Sequence, residues 1–158
     1  MSTTLLDTLR QRVPELKTED NTSTPAAGCT ATHVCTTADI PAIAEVFKQA
    51  GYCLEMLTCL DMRADGGIFR LVYHFSRADV PDRHRFLADV EPGHEPPTAA
   101  LLFESANWYE REVYDMYGVR FAGHPDMTRI LTEEGADYHP LLKDFGVAHP
   151  TDEGNGNA

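Results

Sequence analysis

Between Asp39 and Val90 the apolar residues change their spacing, and that change restricts the chain to a fold of mixed helix and sheet. Ile40, Ile43, Ala44 and Phe47 recur every third or fourth residue and mark one buried helix face. Asp39 offers an N-cap, Pro41 suits the first turn, and Gly51 offers a left-handed stop. From Tyr52 the pattern is that of strands. Tyr52 to Leu60 is apolar enough to be largely buried, Ile68 to Phe75 follows, and Phe86, Ala88 and Val90 alternate with Leu87 and Asp89. Asp65-Gly66-Gly67 supplies positive-φ residues for a turn between the first two runs.

Helical spacing is expected at both flanks of this block. Thr4 to Val13 carries Leu5, Leu6 and Leu9, with Pro14 limiting its length; Asp20 to Gly28 reads as a loop and Thr30 to Cys35 as a short strand. After the Pro/Gly loop from Glu91 to Pro97, a helix is expected from Ser105 to Tyr117. Ser105 caps it, Tyr109, Val113, Met116 and Tyr117 form its apolar face, and Gly118 ends it. Beyond Phe121 the periodicity disappears, and Gly123 to Phe145 reads as an ordered but irregular segment. The order favours a two-layer α+β domain over a doubly wound sheet: a mixed β-sheet packed by helices, with an extended irregular C-terminal segment. One domain is expected over residues 1–147, and a disordered polar tail over 148–158.

With 25 acidic against 13 basic residues the net charge is −12, which repels phosphate backbones and anionic lipid head groups. No run approaches the roughly 20 apolar residues of a spanning helix, and Met1 to Arg10 lacks the parts of a signal peptide, so a cytoplasmic location is expected. In that reducing compartment Cys29, Cys35, Cys53 and Cys59 read as free thiols; their spacing is too wide for a metal-binding turn, and Cys53 and Cys59 fall in the strand expected to be buried. His124, Asp126, Glu133, Glu134, Asp137, His139 and Asp144 are metal-capable, yet no pair has the one-face spacing of an HExxH site. A metal hydrolase built from His124, Asp126, His139 and Asp144 remains as one hypothesis. No GxGxxG, P-loop or GxSxG motif is present. On the expected helix, Arg111 and Asp115 are placed to pair across one turn. Glu110 and Glu112 flank the apolar face and call for a partner cation, and Trp, Tyr and Arg together suit a protein contact.

The run Ala106-Asn107-Trp108-Tyr109-Glu110-Arg111-Glu112-Val113-Tyr114-Asp115-Met116-Tyr117-Gly118-Val119-Arg120-Phe121-Ala122-Gly123-His124-Pro125-Asp126, continued by Arg129-Ile130-Leu131 and His139-Pro140-Leu141-Leu142-Lys143-Asp144-Phe145, resembles the signature of the 30-kDa subunit family of complex I. The resemblance implies a non-redox structural subunit in the peripheral arm of a proton-pumping NADH:quinone oxidoreductase. It would pack against the 49-kDa-type subunit beside the quinone site and hold iron–sulfur neighbours, peripheral on the cytoplasmic face of the membrane. No cofactor would be bound by this chain; FMN, iron–sulfur clusters and quinone would belong to partners. Trp108, Glu110, Arg111, Glu112, Asp115, Arg120, His124, Asp126, Arg129, His139, Lys143 and Asp144 would serve the partner interface. The chain departs from the family pattern at Glu134-Gly135-Ala136, Tyr138 and Leu142, where an aromatic anchor and a cation are missing. A related role, in a membrane-bound energy-converting nickel–iron hydrogenase or ferredoxin-linked complex, is the alternative the resemblance leaves open.

Overall fold

In the computed structural model, residues 4–20 and 28–146 are described. Five strands, β1 (Lys17–Asp20), β2 (Ala31–Cys35), β3 (Cys53–Met62), β4 (Ile68–Ser76) and β5 (Arg83–Val90), form one sheet in the order β1-β2-β5-β4-β3. β2 runs parallel to β5 and the other neighbours are antiparallel, so the sheet is mixed. Helices α1 (Leu5–Arg12), α2 (Ile40–Gln49), α3 (Arg63–Gly66) and α4 (Glu104–Tyr117) complete the α+β architecture expected from the sequence.

One core joins the two layers. Leu9 and Val13 at α1 and Ile40, Ile43 and Phe47 from α2 meet Leu71, Tyr73 and Phe75 of β4 and Phe86 of β5, and Phe103, Ala106 and Val113 extend the cluster along α4. Alternation along β5 buries His84, Phe86, Ala88 and Val90, as a strand half-covered by helices requires.

Several local readings are corrected. β3 is an edge strand with Cys53, Glu55 and Leu60 exposed, because only β4 pairs with it; Cys59 is buried as expected but Cys53 is not. The turn at Asp65-Gly66-Gly67 is a short helix, α3, with positive φ at Gly67 alone (71°). Arg63 starts it by placing its backbone N–H and guanidinium on the Asp61 carboxylate. Asp39 precedes α2 but does not cap it with its side chain, since its carboxylate accepts from the Thr36 N–H (2.9 Å) and hydroxyl (2.6 Å). β1, in a stretch given no element from the sequence, is a polar edge strand. The tail expected at 148–158, and most of the loop expected from Asp20 to Gly28, lie outside the described residues.

Candidate functional site

The candidate site is the outer side of α4 with the irregular segment that follows it. α4 begins one residue before the expected cap. Phe103 stands at the N-cap without a side-chain bond, and the Ser105 hydroxyl instead donates to the Leu54 carbonyl of β3 (3.0 Å). Tyr109 donates likewise to the Glu55 carbonyl (2.7 Å), so the helix is fastened along the bulged end of the edge strand. Gly118 ends the helix at φ 79°, and a Cβ there would lie 2.9 Å from the His139 ring. Only glycine satisfies both the left-handed turn and that approach.

Glu110 and Asp115, both fully buried, organise opposite sides of this helix. Glu110 accepts from the Thr98 hydroxyl (2.5 Å) and the Ala99 N–H (2.7 Å). Among the described residues no cation neutralises it, contrary to the expectation for this residue. Burial raises its pKa to about 7, against the opposing pull of the Thr98 and Ala99 bonds. His124 lies 4.0 Å away, but one ring nitrogen donates to the Asn107 carbonyl (3.2 Å) and the other accepts the Asp126 N–H (3.0 Å). Burial also lowers the His124 pKa, so the ring is a neutral neighbour rather than a counter-ion.

Asp115 does not pair with Arg111. Its carboxylate accepts from the N–H groups of Ile130 (2.9 Å), Leu131 (2.7 Å) and Thr132 (3.0 Å), from the Thr132 hydroxyl (2.5 Å) and from Arg129 (2.8 Å). Its carbonyl accepts from Arg129 (3.3 Å) and from His139 Nδ1 (2.9 Å). Burial works to raise this pKa, but the hydroxyl and the three N–H groups overcome it and hold the carboxyl well below the usual carboxylate range. One residue of α4 thus fastens the chain at 129–132 and at 139. Asp61 gives a second fastening: Arg63 holds its carboxylate far below the usual range, and it accepts the Lys143 N–H (2.9 Å).

The remaining residues expected at the interface lie around these clasps. Trp108 is 60% exposed with the Arg111 guanidinium over its ring, and Arg111 donates to the Thr128 carbonyl (3.1 Å) and hydroxyl (2.8 Å). Asp126 lies 3.8 Å from Arg111. Arg120 lies over Tyr114 and 3.6 Å from Glu95, Lys143 3.7 Å from Asp65, and Asp144 2.7 Å from Arg63. Glu112 is exposed and makes no hydrogen bond or ion pair among the described residues. Leu131, Tyr138, Leu141 and Phe145 are exposed on the same segment, with the Tyr138 and Phe145 rings 5.5 Å apart. The four residues of the metal-hydrolase hypothesis are not brought together: His124 is fixed to Asn107, His139 to Asp115 and Asp144 to Arg63. Among the described residues no group of three or more His, Cys, Asp or Glu side chains is arranged to hold a metal ion.

Sequence reasoning missed a buried polar chain on the helix-covered face of the sheet, along β2 and β5. Thr18 Oγ1 lies 2.9 Å from His33 Nδ1, His33 Nε2 lies 2.9 Å from His84 Nδ1, and His84 Nε2 lies 3.2 Å from Asp82, which accepts from the Tyr52 hydroxyl. With both rings neutral, the Thr18 hydroxyl donates to His33 and the His33 Nε2–H to His84, while the Asp82 oxygen facing His84 has no hydrogen-bond partner among the described residues. Burial, helped by the neighbouring ring, lowers the His33 pKa to about 4. The two histidines are 51 positions apart and meet only through the parallel β2–β5 pairing, so no local pattern announces them.

Comparison with known proteins agrees with this architecture. The family model "Respiratory-chain NADH dehydrogenase, 30 Kd subunit" matches residues 33–151. An NADH-quinone oxidoreductase subunit of Rhodopseudomonas palustris (strain BisB18) is 44% identical over 92 residues, covering 58% of this chain and 46% of the relative. The mitochondrial NADH-ubiquinone oxidoreductase 30.4 kDa subunit of Neurospora crassa is 40% identical over 96 residues, covering 61% of this chain and 34% of that relative. The chain thus spans less than half the length of either. Among solved structures, a trypsin-resistant fragment (1-134) of Nqo5 superposes with a TM-score of 0.62 at 26% identity, over 77% of this chain and 96% of the fragment. A chain of the membrane-bound sulfane sulfur reductase, an archaeal respiratory membrane complex, shares the fold with a TM-score of 0.75 at 19% identity, over 90% of this chain and 84% of that one. No helix among the described residues is long and apolar enough to cross a membrane. With α4, its glycine stop and the clasped segment all inside the matched residues, the chain belongs to the 30-kDa subunit family of respiratory-chain NADH dehydrogenase.

Proposed function

We propose that this chain is a non-redox structural subunit in the peripheral arm of a proton-pumping NADH:quinone oxidoreductase. It docks by the outer face of α4 and the segment from His124 to Phe145 onto a 49-kDa-type, quinone-site subunit, and holds the iron–sulfur subunits beside it. FMN, the iron–sulfur clusters and quinone are carried by those partners, and the chain reaches the cytoplasmic face of the membrane through them. The observation that carries this reading is the set of large apolar residues left in solvent on one ordered segment: Leu131, Tyr138, Leu141 and Phe145, with Trp108 exposed on α4. The segment's backbone is held at Leu131 by Asp115, at Leu141 by the Met116 carbonyl and at Lys143 by Asp61, so the exposure is built in rather than incidental. Apolar and aromatic side chains held rigidly in water are the anchors that partner proteins bury.

The test is affinity purification of the tagged chain from mildly solubilised native membranes, with mass spectrometry of what accompanies it. Recovery of a 49-kDa-type subunit with flavin and iron–sulfur subunits is expected. A nickel–iron hydrogenase large subunit in its place would reassign the chain to the related complexes, and a chain recovered alone would overturn the docking role.

A further inference from the structure

An open cleft of about 650 Å³ lies between Tyr114 on α4 and the loop at 127–136, and its walls include Arg129, Ile130, Thr132 and Glu134. Its chemistry is unbalanced. The N–H groups of Ile130, Leu131 and Thr132 are all committed to the Asp115 carboxylate. Among the described residues, no donor reaches the carbonyl groups of Arg129, Ile130 or Leu131. Arg129 is the cation in the cleft wall, and its charge is matched by Asp115 at 2.8 Å, with the same nitrogen donating to Thr132 Oγ1 (3.0 Å). Glu134, on the same wall, has no hydrogen bond or ion pair among the described residues. The Tyr114 ring already has the Arg120 and Arg129 guanidinium groups over it, so the cleft carries one unmatched negative charge and, at Arg129 and Ile130, two carbonyl groups without a donor from the chain.

We infer that this cleft receives a lysine or arginine side chain of the partner protein, with Glu134 as its counter-ion and the loop carbonyls as its bed. The inference rests on the docking role proposed above. A cation supplies the donors that the loop carbonyls lack and removes the charge that Glu134 leaves over. A carboxylate from the partner would add a second negative charge beside Glu134. Burying a cation–carboxylate pair at an interface fixes register, and removing one member leaves the other charge desolvated and unpaired.

The experiment uses the tagged full chain in its native membranes and compares Glu134→Lys, Glu134→Gln and Glu133→Lys. Glu133 is adjacent in sequence but is not part of the cleft wall. Recovery of partner subunits with Glu134→Lys should fall roughly tenfold or more, and with Glu134→Gln by a smaller factor of about three. Glu133→Lys should change it little. Melting of each isolated variant should match the parent chain, since neither side chain makes an ion pair among the described residues. Undiminished recovery with Glu134→Lys overturns the inference while leaving the docking role intact. Equal loss with Glu133→Lys also overturns it, because the effect would then belong to the charge of the segment and not to the cleft. If Glu134→Lys folds poorly, Glu134→Gln decides: recovery at the parent level overturns the inference. If the parent chain itself recovers no partner, the docking role fails and the inference falls with it.

Discussion

Glu110 and Asp115 sit little more than one turn apart on the same helix, both without solvent exposure, and their carboxyl groups are held in opposite directions of pKa. Glu110 meets two neutral donors, so the cost of burying charge dominates and its pKa rises to about 7. Asp115 meets three N–H groups, a hydroxyl and a guanidinium, and these outweigh the same cost. The lesson is that burial alone does not set the charge of an acid; the number of donors turned toward it does. The inner acid fastens α4 to the Thr98–Ala99 corner beside the core, while the outer one holds the exposed segment in shape.

Asp115→Ala should have the largest effect. It orphans three N–H groups and leaves Arg129 without its carboxylate, a loss of about 3–5 kcal/mol by denaturant unfolding at neutral pH. The 128–145 segment should become protease-sensitive in that variant. Survival of a protected segment would show that Asp115 is no more a clasp than Glu110 is.

The pH profile sharpens the contrast. Glu110 has a folded pKa near 7 against an ordinary 4.5, so its contribution is full below 4.5 and is lost as pH rises through 7. His33 has a folded pKa near 4 against 6.5, so its contribution is full above 6.5 and is lost as pH falls through 4. Each is worth about 3 kcal/mol, and across this range they oppose one another. Glu110→Gln should therefore gain roughly 2 kcal/mol at pH 8 and expose a steeper fall on acidification than the parent shows. An unchanged slope would mean that Glu110 is charged in the fold at neutral pH, as Asp115 is.

A smaller effect is expected from Thr98→Val, which deletes one of the two donors to Glu110. Stability should drop by about 1–2 kcal/mol, and the Glu110 carboxyl, followed by carbon NMR, should titrate above its value in the parent chain. A downward shift would break the argument from donor count. The smallest effect on the isolated chain belongs to Trp108→Ala, within about 0.5 kcal/mol because the ring is largely in water, while partner recovery should fall severalfold. A large stability loss would make Trp108 a core residue and weaken the docking role.

The fold was legible where local chemistry decides it. The α2 face, the strand alternation ending at Val90 and the Gly118 stop all follow from spacing and backbone freedom. The burial of Glu110 is half-legible: Ala106, Glu110, Val113 and Tyr117 share one helical stripe, but spacing alone places a charged residue at the margin of such a stripe and not at its centre. The partners of Asp115 were not legible, because they lie 14 to 24 positions away on a segment without periodicity. The same holds for the exposed side of β3, since an apolar run does not reveal whether a second neighbour pairs with it.

The bond from Asp115 to Thr132 and that from its carbonyl to His139 close two loops of chain, the task that a disulfide performs in many small domains. These closures contain no sulfur, and the four cysteines of the chain are free thiols. Reductants therefore find no bond to cut in these closures, whereas protonating the Asp115 carboxylate weakens the loop closed at Thr132 and leaves the carbonyl bond to His139 in place. The exposed segment is thus fastened by a latch that answers to acid and contains no sulfur–sulfur bond to reduce.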